Sequence, residues 1–523
     1  MAVDFTPLAR LIFRPLASKM KKVRTPSDFE VVQHRVLARL LHRARNTDVG
    51  RRYGFSRIRT YADFAAAVPI VGYEDIRADV MRMVRGEPGV LWPGRCRSFA
   101  QSSGTSGGKS KFIPVTADAL RHNHYAGAAC SVAAYLDRTA RSRIFGGKCL
   151  ILGGSFANEL TGVPDGVCVG DLSATLIDHV NPLVELFRVP GKDIALMPDW
   201  TRKLDAIATE AARHDITNIS GVPSWFMGVL RRIMQLRGVE SIHDVWPNLE
   251  VFFHGGIAFE PYRRQYEAIT DTSKMRYSEN YNASEGFFAT QDSDTEPGML
   301  LLPDVGVFYE LIPLESLDSG SPVVIPAWEA ERGRTYALVI SACNGLWRYL
   351  IGDTVRIEST VPLRISIAGR TSSFINAFGE EVMEWNTDHA IAETCRATGA
   401  AVANYTVAPV YAEGRQRGHH QWLVEWSAEP QCGTDAFADM LDERLQAVNS
   451  DYQAKRAGGI FLDRLEIVTL VPGAFDSWLR TSGKLGGQRK IPRLANDRHI
   501  ADKVLEINRN LELDTLKNTE EHA

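Results

Sequence analysis

The stretch Ser102-Ser103-Gly104-Thr105-Ser106-Gly107-Gly108-Lys109-Ser110-Lys111 sets three glycines, five hydroxyls and two lysines in ten residues. Glycines let a backbone take positive φ and turn its N–H groups toward an anion, while hydroxyls and lysines add donors and charge. This is chemistry for holding a polyphosphate. A Walker A loop needs Gly-x-x-x-x-Gly-Lys-Ser/Thr with a helix directly after it. Here the first required glycine falls on Ser103, and the chain continues as Lys111-Phe112-Ile113-Pro114-Val115, an apolar run broken by proline. The loop leads into a strand and holds its anion in some other way.

Outward from the loop, strands and helices alternate. The patterning predicts a strand at 111–115, a helix at 118–136, a strand at 148–152 and a helix at 202–213. It continues with a strand at 216–221, a helix at 224–236 after Pro223, a strand at 249–254 ending in Gly255-Gly256, and a helix at 261–269. Such alternation implies βαβ units and a largely parallel sheet covered by helices. Upstream, apolar residues from Phe29 to Leu41 recur at helical spacing. After about Met299 the texture becomes β-rich, with short strands at 299–302, 305–311, 336–341 and 363–368, as in a β-rich subdomain. A second mixed unit starts near Gly369-Arg370, with helices at 387–397 and 436–448 and strands at 402–407, 421–426 and 465–470.

At 523 residues the chain exceeds one ordinary core, so a large domain with a smaller companion is expected. Its 60 basic and 63 acidic residues leave a net charge of −3, which gives no broad electrostatic reason to bind nucleic acid. Seven scattered cysteines without a C-x-x-C pair suit reduced thiols in a cytoplasmic protein and argue against a zinc site or disulfide framework. No apolar run reaches the roughly 18 residues needed to cross a bilayer, so no membrane role is expected. The basic segment 1–24 could pass for a transit peptide, but it reads as an amphipathic segment packed on the body. The polar tail after Asn508 is expected to fray.

Three further segments carry chemistry. In Tyr281-Asn282-Ala283-Ser284-Glu285-Gly286-Phe287-Phe288 an aromatic can stack on a purine, and a carboxylate nearby can hold the Mg²⁺ that bridges phosphates. In Leu346-Trp347-Arg348-Tyr349-Leu350-Ile351-Gly352-Asp353 an acid after glycine at a strand turn can accept ribose hydroxyls. Gly486-Gly487-Gln488-Arg489-Lys490-Ile491-Pro492-Arg493 is a glycine-flexed cationic tip.

In order and spacing, these four segments resemble those of the plant auxin-responsive acyl-acid amido synthetases (the Gretchen-Hagen family) and their bacterial relatives. The strand Phe308-Tyr309-Glu310-Leu311-Ile312-Pro313 is also similar to one of that family, and the likeness runs from about Gln33 to Arg493. It implies an adenylate-forming α/β fold, with an N-terminal ATP- and acyl-binding domain over 1–369 and a small mobile C-terminal α+β domain over 370–523. Carried over by position, Ser102, Ser103, Gly104, Thr105, Ser106 and Lys109 would bind the β- and γ-phosphates of ATP. Tyr281 would lie near adenine and Ser284 near the α-phosphate. Glu285 would serve Mg²⁺, Asp353 the ribose, and Arg370 the ribose or the hinge. Lys490 would reach the reacting oxygens, with Lys484 of Thr481-Ser482-Gly483-Lys484 as its competitor.

The activity so implied is activation of a carboxylic acid as acyl-AMP, followed by transfer to an amine such as an amino acid. Amine attack needs a base, for which His122, His124 and His254 are candidates. Residues 222–226 join a strand end to a helix and could line an acyl pocket or belong to the core. A thiol acceptor, coenzyme A or a carrier protein, would use the same first step. A non-catalytic nucleotide-binding protein on a degenerate ligase fold would have no need of the loop, Glu285, Asp353 and Lys490 together.

Overall fold

The computed structural model describes residues 4–102, 110–156, 160, 162–256, 259–317, 319, 321–370, 374–411, 417–457, 462–481 and 492–520. The chain divides into two compact units. One comprises 1–102, 110–259 and 266–371; the other comprises 372–523 with the short pieces 103–109 and 260–265.

The first unit is built on a twelve-stranded sheet. Strands Lys148–Ile151, Arg188–Val189, Ile216–Gly221, Val251–His254 and Arg276–Ala283 run parallel, linked by helices such as Trp200–Ala211 and Pro223–Arg237. From Arg276–Ala283 onward every pairing is antiparallel, through Gly286–Thr290, Met299–Leu301, Leu363–Arg370, Tyr349–Thr360, Thr335–Ala342, Val307–Pro313 and Ile325–Pro326. The expected β-rich segment is the antiparallel half of this same sheet. Strand 276–283 is the hinge of the pattern: one edge pairs in parallel and the other closes a tight hairpin with 286–290.

Helix Pro26–Ala44, started by a Thr25–Asp28 capping box, buries Phe29, Val32, Val36, Leu37, Leu40 and Leu41 on one face. The same face carries Gln33, fully buried. Its amide donates to the carbonyls of Pro303 (2.7 Å) and Val307 (3.0 Å) and accepts from the Tyr309 N–H (2.9 Å), pinning the helix to the sheet. The basic N-terminal segment is a helix, Thr6–Met20, docked on helix Tyr125–Arg138, where the Arg10 guanidinium caps the carbonyls of Leu136 and Thr139. The helix expected over 118–136 instead carries a π-helical turn, Leu120–His124, before Tyr125–Arg138.

In the second unit Ala401–Val410, His419–Ala428 and Glu466–Leu470 form a three-stranded sheet with helices Glu384–Thr398 and Thr434–Val448. The tail expected to fray after Asn508 is instead helical, as part of His499–Glu520. The physical reason is a tie to another segment: buried Asn508 accepts from the Val471 N–H (2.8 Å), 37 residues earlier, and donates to Glu512 (2.8 Å).

Candidate active site

Tyr281, Ser284, Glu285 and Asp353 lie on or between strands of the twelve-stranded sheet, while Ser102 lies on a separate three-stranded sheet. The Tyr281 hydroxyl donates to Asp353 Oδ2 at 2.6 Å, joining two segments 72 residues apart. Their strands lie four steps apart in the sheet order. On a flat sheet four steps are about 19 Å at the usual strand spacing, so the sheet must curl to bring them together. Curling is also visible where the Tyr309 hydroxyl reaches the carbonyls of Leu302 (3.2 Å) and Phe288 (3.4 Å).

Asp353 sits inside strand Tyr349–Thr360, opposite Arg370, beside a register irregularity at Thr354/Val355. This corrects the expected strand turn; Gly352 has a φ of 99° within the strand, and the irregularity re-aims the chain without ending it. The Asp353 side chain is 7 % exposed and the Tyr281 ring 3 %, with the ring edge-on to Phe288 at 5.0 Å. Tyr281 is thus a buried side chain whose hydroxyl holds Asp353, not an open aromatic face.

Ser284 and Glu285 form the tip of the hairpin between 276–283 and 286–290. Two asparagines grip this tip on either side of Gly286. Asn344 Nδ2 donates to the Glu285 carbonyl (3.0 Å), while Asn123 accepts from the Phe287 N–H (2.7 Å) and donates to the Phe287 carbonyl (3.0 Å). A Cβ on Gly286 would stand 2.8 Å from the Phe288 ring and 3.0 Å from Asn123 Oδ1, so the close approach needs glycine. Neither asparagine stood out in the sequence. For Asn344 a signal existed, since Asn-Gly marks a tight turn and Gly345 has a φ of 95°.

Arg348, inside the same motif as Asp353, lies elsewhere. Its guanidinium contacts both carboxylate oxygens of Glu310 at 2.9–3.1 Å and caps the carbonyls of Ala65 (2.9 Å) and Val68 (2.8 Å). The Tyr61 hydroxyl adds a bond to Glu310 at 2.9 Å. Burial pushes the Glu310 carboxyl above its usual range and Arg348 opposes that shift. Two residues that carried the family resemblance are thus partners in one buried ion pair. Trp347 is equally internal, donating to the Leu91 carbonyl (3.2 Å) and packing on Phe55 and Trp92.

The histidines separate. His124 is buried in the π-helical turn, and burial lowers its pKa to about 4, so it is neutral and weakly basic at neutral pH. His122 lines a cleft with Arg39 and Arg43. His254 ends a parallel strand and stacks on Phe259 at 4.2 Å, at the carboxyl edge where α/β ligand sites lie. Of the residues considered for an acyl pocket, Phe226 is core, fully buried against Phe252 at 5.1 Å.

Ser102 closes strand Ser98–Ser102, antiparallel to Lys111–Pro114, so the two ends of the phosphate loop are neighbours at the Ser102↔Lys111 pair. Ser103, Gly104, Thr105, Ser106, Lys109, Lys484 and Lys490, and the side chain of Arg370, lie outside the described residues. Among the described residues no cluster of three or more His, Cys, Asp or Glu could hold a metal by itself. Glu285 with Ser284 is an oxygen-donor set suited to Mg²⁺ only when phosphate oxygens complete the shell.

Residues 21–183 and 166–275 match the GH3 family N-terminal domain, 299–370 the GH3 family central domain, and 386–499 the GH3 family C-terminal domain. The indole-3-acetic acid-amido synthetase GH3.8 of Oryza sativa subsp. indica is 22 % identical, covering 93 % of this chain and 92 % of that protein. The jasmonoyl–L-amino acid synthetase JAR4 of Nicotiana attenuata is 21 % identical over 62 % of this chain and 66 % of its own. Among solved structures, the acyl acid amido synthetase AtGH3.15 with 2,4-DB superposes with a TM-score of 0.60 at 19 % identity, over 94 % of this chain and 95 % of that one. A 2-hydroxyisobutyryl-CoA ligase with 2-HIB-AMP and CoA gives 0.55 at 15 % identity, over 92 % of each chain. These likenesses carry the fold. With all three domains matched in order, the chain belongs to the GH3 family and has the adenylate-forming ligase fold.

Proposed function

We propose that this protein is an ATP-dependent acyl-acid amido synthetase, which activates a carboxylic acid as acyl-AMP and passes the acyl group to an amine, in the first instance an amino acid. The observation that carries the reading is the Tyr281–Asp353 bond, which joins two motif segments through a buried carboxylate. A carboxylate is a poor electrophile, so it attacks the α-phosphorus of ATP, expels pyrophosphate and becomes a mixed anhydride that an amine can open. The protein must align these groups and neutralise charge on phosphate oxygens.

In this reading Asp353, oriented by the Tyr281 hydroxyl, accepts from the ribose hydroxyls. Ser284 would lie at the α-phosphate, and the loop from Ser102 to Lys109 would donate to the β- and γ-phosphates. Arg370 would serve the ribose or the hinge. Mg²⁺ would be held by Glu285 and phosphate oxygens and would offset phosphate charge. Lys490, with Lys484 as the alternative, would supply the cation for the reacting oxygens. For the amine step His254 and His122 are the base candidates, since burial leaves His124 too weakly basic. No helix among the described residues is long and apolar enough to cross a membrane, and all seven cysteines are free thiols; both support a cytoplasmic setting.

The test is pyrophosphate release from ATP and Mg²⁺ across aromatic, indolic and aliphatic carboxylic acids, with amino acids or coenzyme A as acceptor and mass analysis of the product. Release that depends on one acid class, rises with amino acids and yields an amide is the expected result. A thioester with coenzyme A and no amide contradicts the acceptor assignment, and ATP binding without release for any acid contradicts the reaction.

A further inference from the structure

A cleft of about 630 Å³ lies on the first unit, walled by the helices Thr6–Met20 and Pro26–Ala44 on one side and the π-helical turn Leu120–His124 on the other. Its volume is that of a small-molecule pocket. The floor includes Val36, Leu40 and Trp92, and three cations, Lys19, Arg39 and Arg43, face the same space. The two carboxylates there are already engaged. Asp304 accepts from Lys19 (2.6 Å) and Arg39; Asp118 accepts from Arg43 (3.2 Å) and from the Trp92 indole (2.9 Å). A guanidinium has five N–H donors, and Arg39 and Arg43 each spend one on these acids. The cleft therefore combines an apolar floor with spare cationic donors. A purely polar anion would leave the floor unused, and a cation would meet carboxylates already paired.

Two walls of this cleft lie one residue from the groups that hold the Glu285 hairpin. His122 lines the cleft and the next residue, Asn123, grips Phe287. Cys343 also lines it, bonded through its N–H to the Gly306 carbonyl (3.1 Å) and through its carbonyl to Thr116 (2.8 Å), and the next residue, Asn344, grips the Glu285 carbonyl. π-helical turns inside α-helices are frequent at functional sites. Here the turn sets His122 on the surface and Asn123 and His124 inside.

We propose that this cleft is a second, regulatory binding site for an aromatic carboxylate, and that its occupancy shifts the Glu285 hairpin through Asn123 and Asn344. The coupling, but not the binding, rests on the assignment of Glu285 to the nucleotide site. Ligand on the cleft floor presses on the backbones of His122 and Cys343, and both walls transmit to the hairpin tip on either side of Gly286. The carboxylate pairs with Arg39 and Arg43 while the ring lies on Leu40 and Trp92.

The test uses the full chain and two probes, 1-naphthoate and 8-anilinonaphthalene-1-sulfonate, titrated by fluorescence and calorimetry with and without saturating ATP and Mg²⁺. One binding event that persists with ATP present is expected. It weakens about tenfold or more in Arg39→Glu/Arg43→Glu and, separately, in Lys19→Glu, as loss of charge-assisted bonds requires. In the wild type the bound probe changes ATP affinity about fivefold or more, and the variants lose that change while binding ATP normally. Complete displacement of the probe by ATP, or equal binding in both variants, overturns the site. Binding without any effect on ATP affinity overturns the coupling. Unaltered Mg²⁺-dependence of ATP binding in Glu285→Gln would instead count against the nucleotide-site assignment and leave the cleft standing.

Discussion

Glu310 and Asp353 are both buried carboxylates on antiparallel strands of one sheet, and each meets a side chain from another motif segment. Glu310 is wholly enclosed, with the Arg348 guanidinium on both oxygens and the Tyr61 hydroxyl on one of them. Asp353 keeps a small exposed fraction and is approached by a neutral hydroxyl, that of Tyr281. A cation held on both oxygens of an enclosed carboxylate makes that carboxylate part of the framework, whereas Asp353 is oriented by the Tyr281 hydroxyl and keeps a small exposed fraction. The same motif, from Leu346 to Asp353, thus carries a structural end at Arg348 and, in the proposed reading, the ribose-binding end at Asp353. Arg348 has a φ of 44°, a costly conformation for a residue with a side chain, which its bonds to Glu310, Ala65 and Val68 maintain.

The largest effect separating the two pairs belongs to Arg348→Ala. It leaves Glu310 buried without its cation and should cost about 3–5 kcal/mol of folding stability, read by denaturant unfolding. An intact fold with only lost activity would mean that Arg348 belongs to the site after all. Asp353→Asn should do the reverse: near-normal stability with adenylation reduced on the order of 10²–10³-fold, measured as pyrophosphate release. Tyr281→Phe removes only the orienting hydroxyl and should weaken ATP use by about tenfold, mostly as a higher KM for ATP. An unchanged KM would show that Asp353 holds its position without help.

The last effect, absent at neutral pH, concerns His124. Burial keeps it neutral down to a pKa of about 4, whereas the unfolded chain takes up a proton near pH 6.5. Between those values the unfolded state binds the extra proton, so His124 lowers stability as pH falls through that window and is without effect above it. His124→Gln should flatten the acid side of the stability profile between about pH 4 and 6.5 and leave the neutral-pH limb of amide formation unmoved. A shift of that limb would restore His124 as the base.

The parallel strands at 216–221 and 251–254 and most helices were legible because burial on one or both faces writes a period into the sequence. Strand Tyr349–Thr360 was not, because Gly352 and Asp353 interrupt its apolar run beside a register irregularity. Continuity of the parallel and antiparallel halves was hidden because it rests on the single strand Arg276–Ala283, whose two edges pair differently. Asp353, Glu285 and Ser284 could be picked out by residue type within a motif. Their supports could not: Asn123 and Asn344 act on the hairpin from 164 and 59 residues away. Nor does any local pattern say that Arg348 belongs to Glu310, 38 residues earlier, when Asp353 stands only five residues beyond it. The N-terminal segment was legible as an amphipathic segment packed on the body, whereas the C-terminal helix was missed because Asn508 looks solvated in sequence and is spent on a distant backbone group.

The assignment of Asp353 to the ribose is tested most directly by comparing ATP with 2′-deoxy-ATP. Their dissociation constants, measured by calorimetry for the wild type and Asp353→Ala, need no knowledge of the acid. If Asp353 accepts from the ribose hydroxyls, the wild type should favour ATP by about tenfold or more, and the variant should bind the two nucleotides with nearly equal affinity. The same preference in both proteins would contradict the account and place the ribose elsewhere.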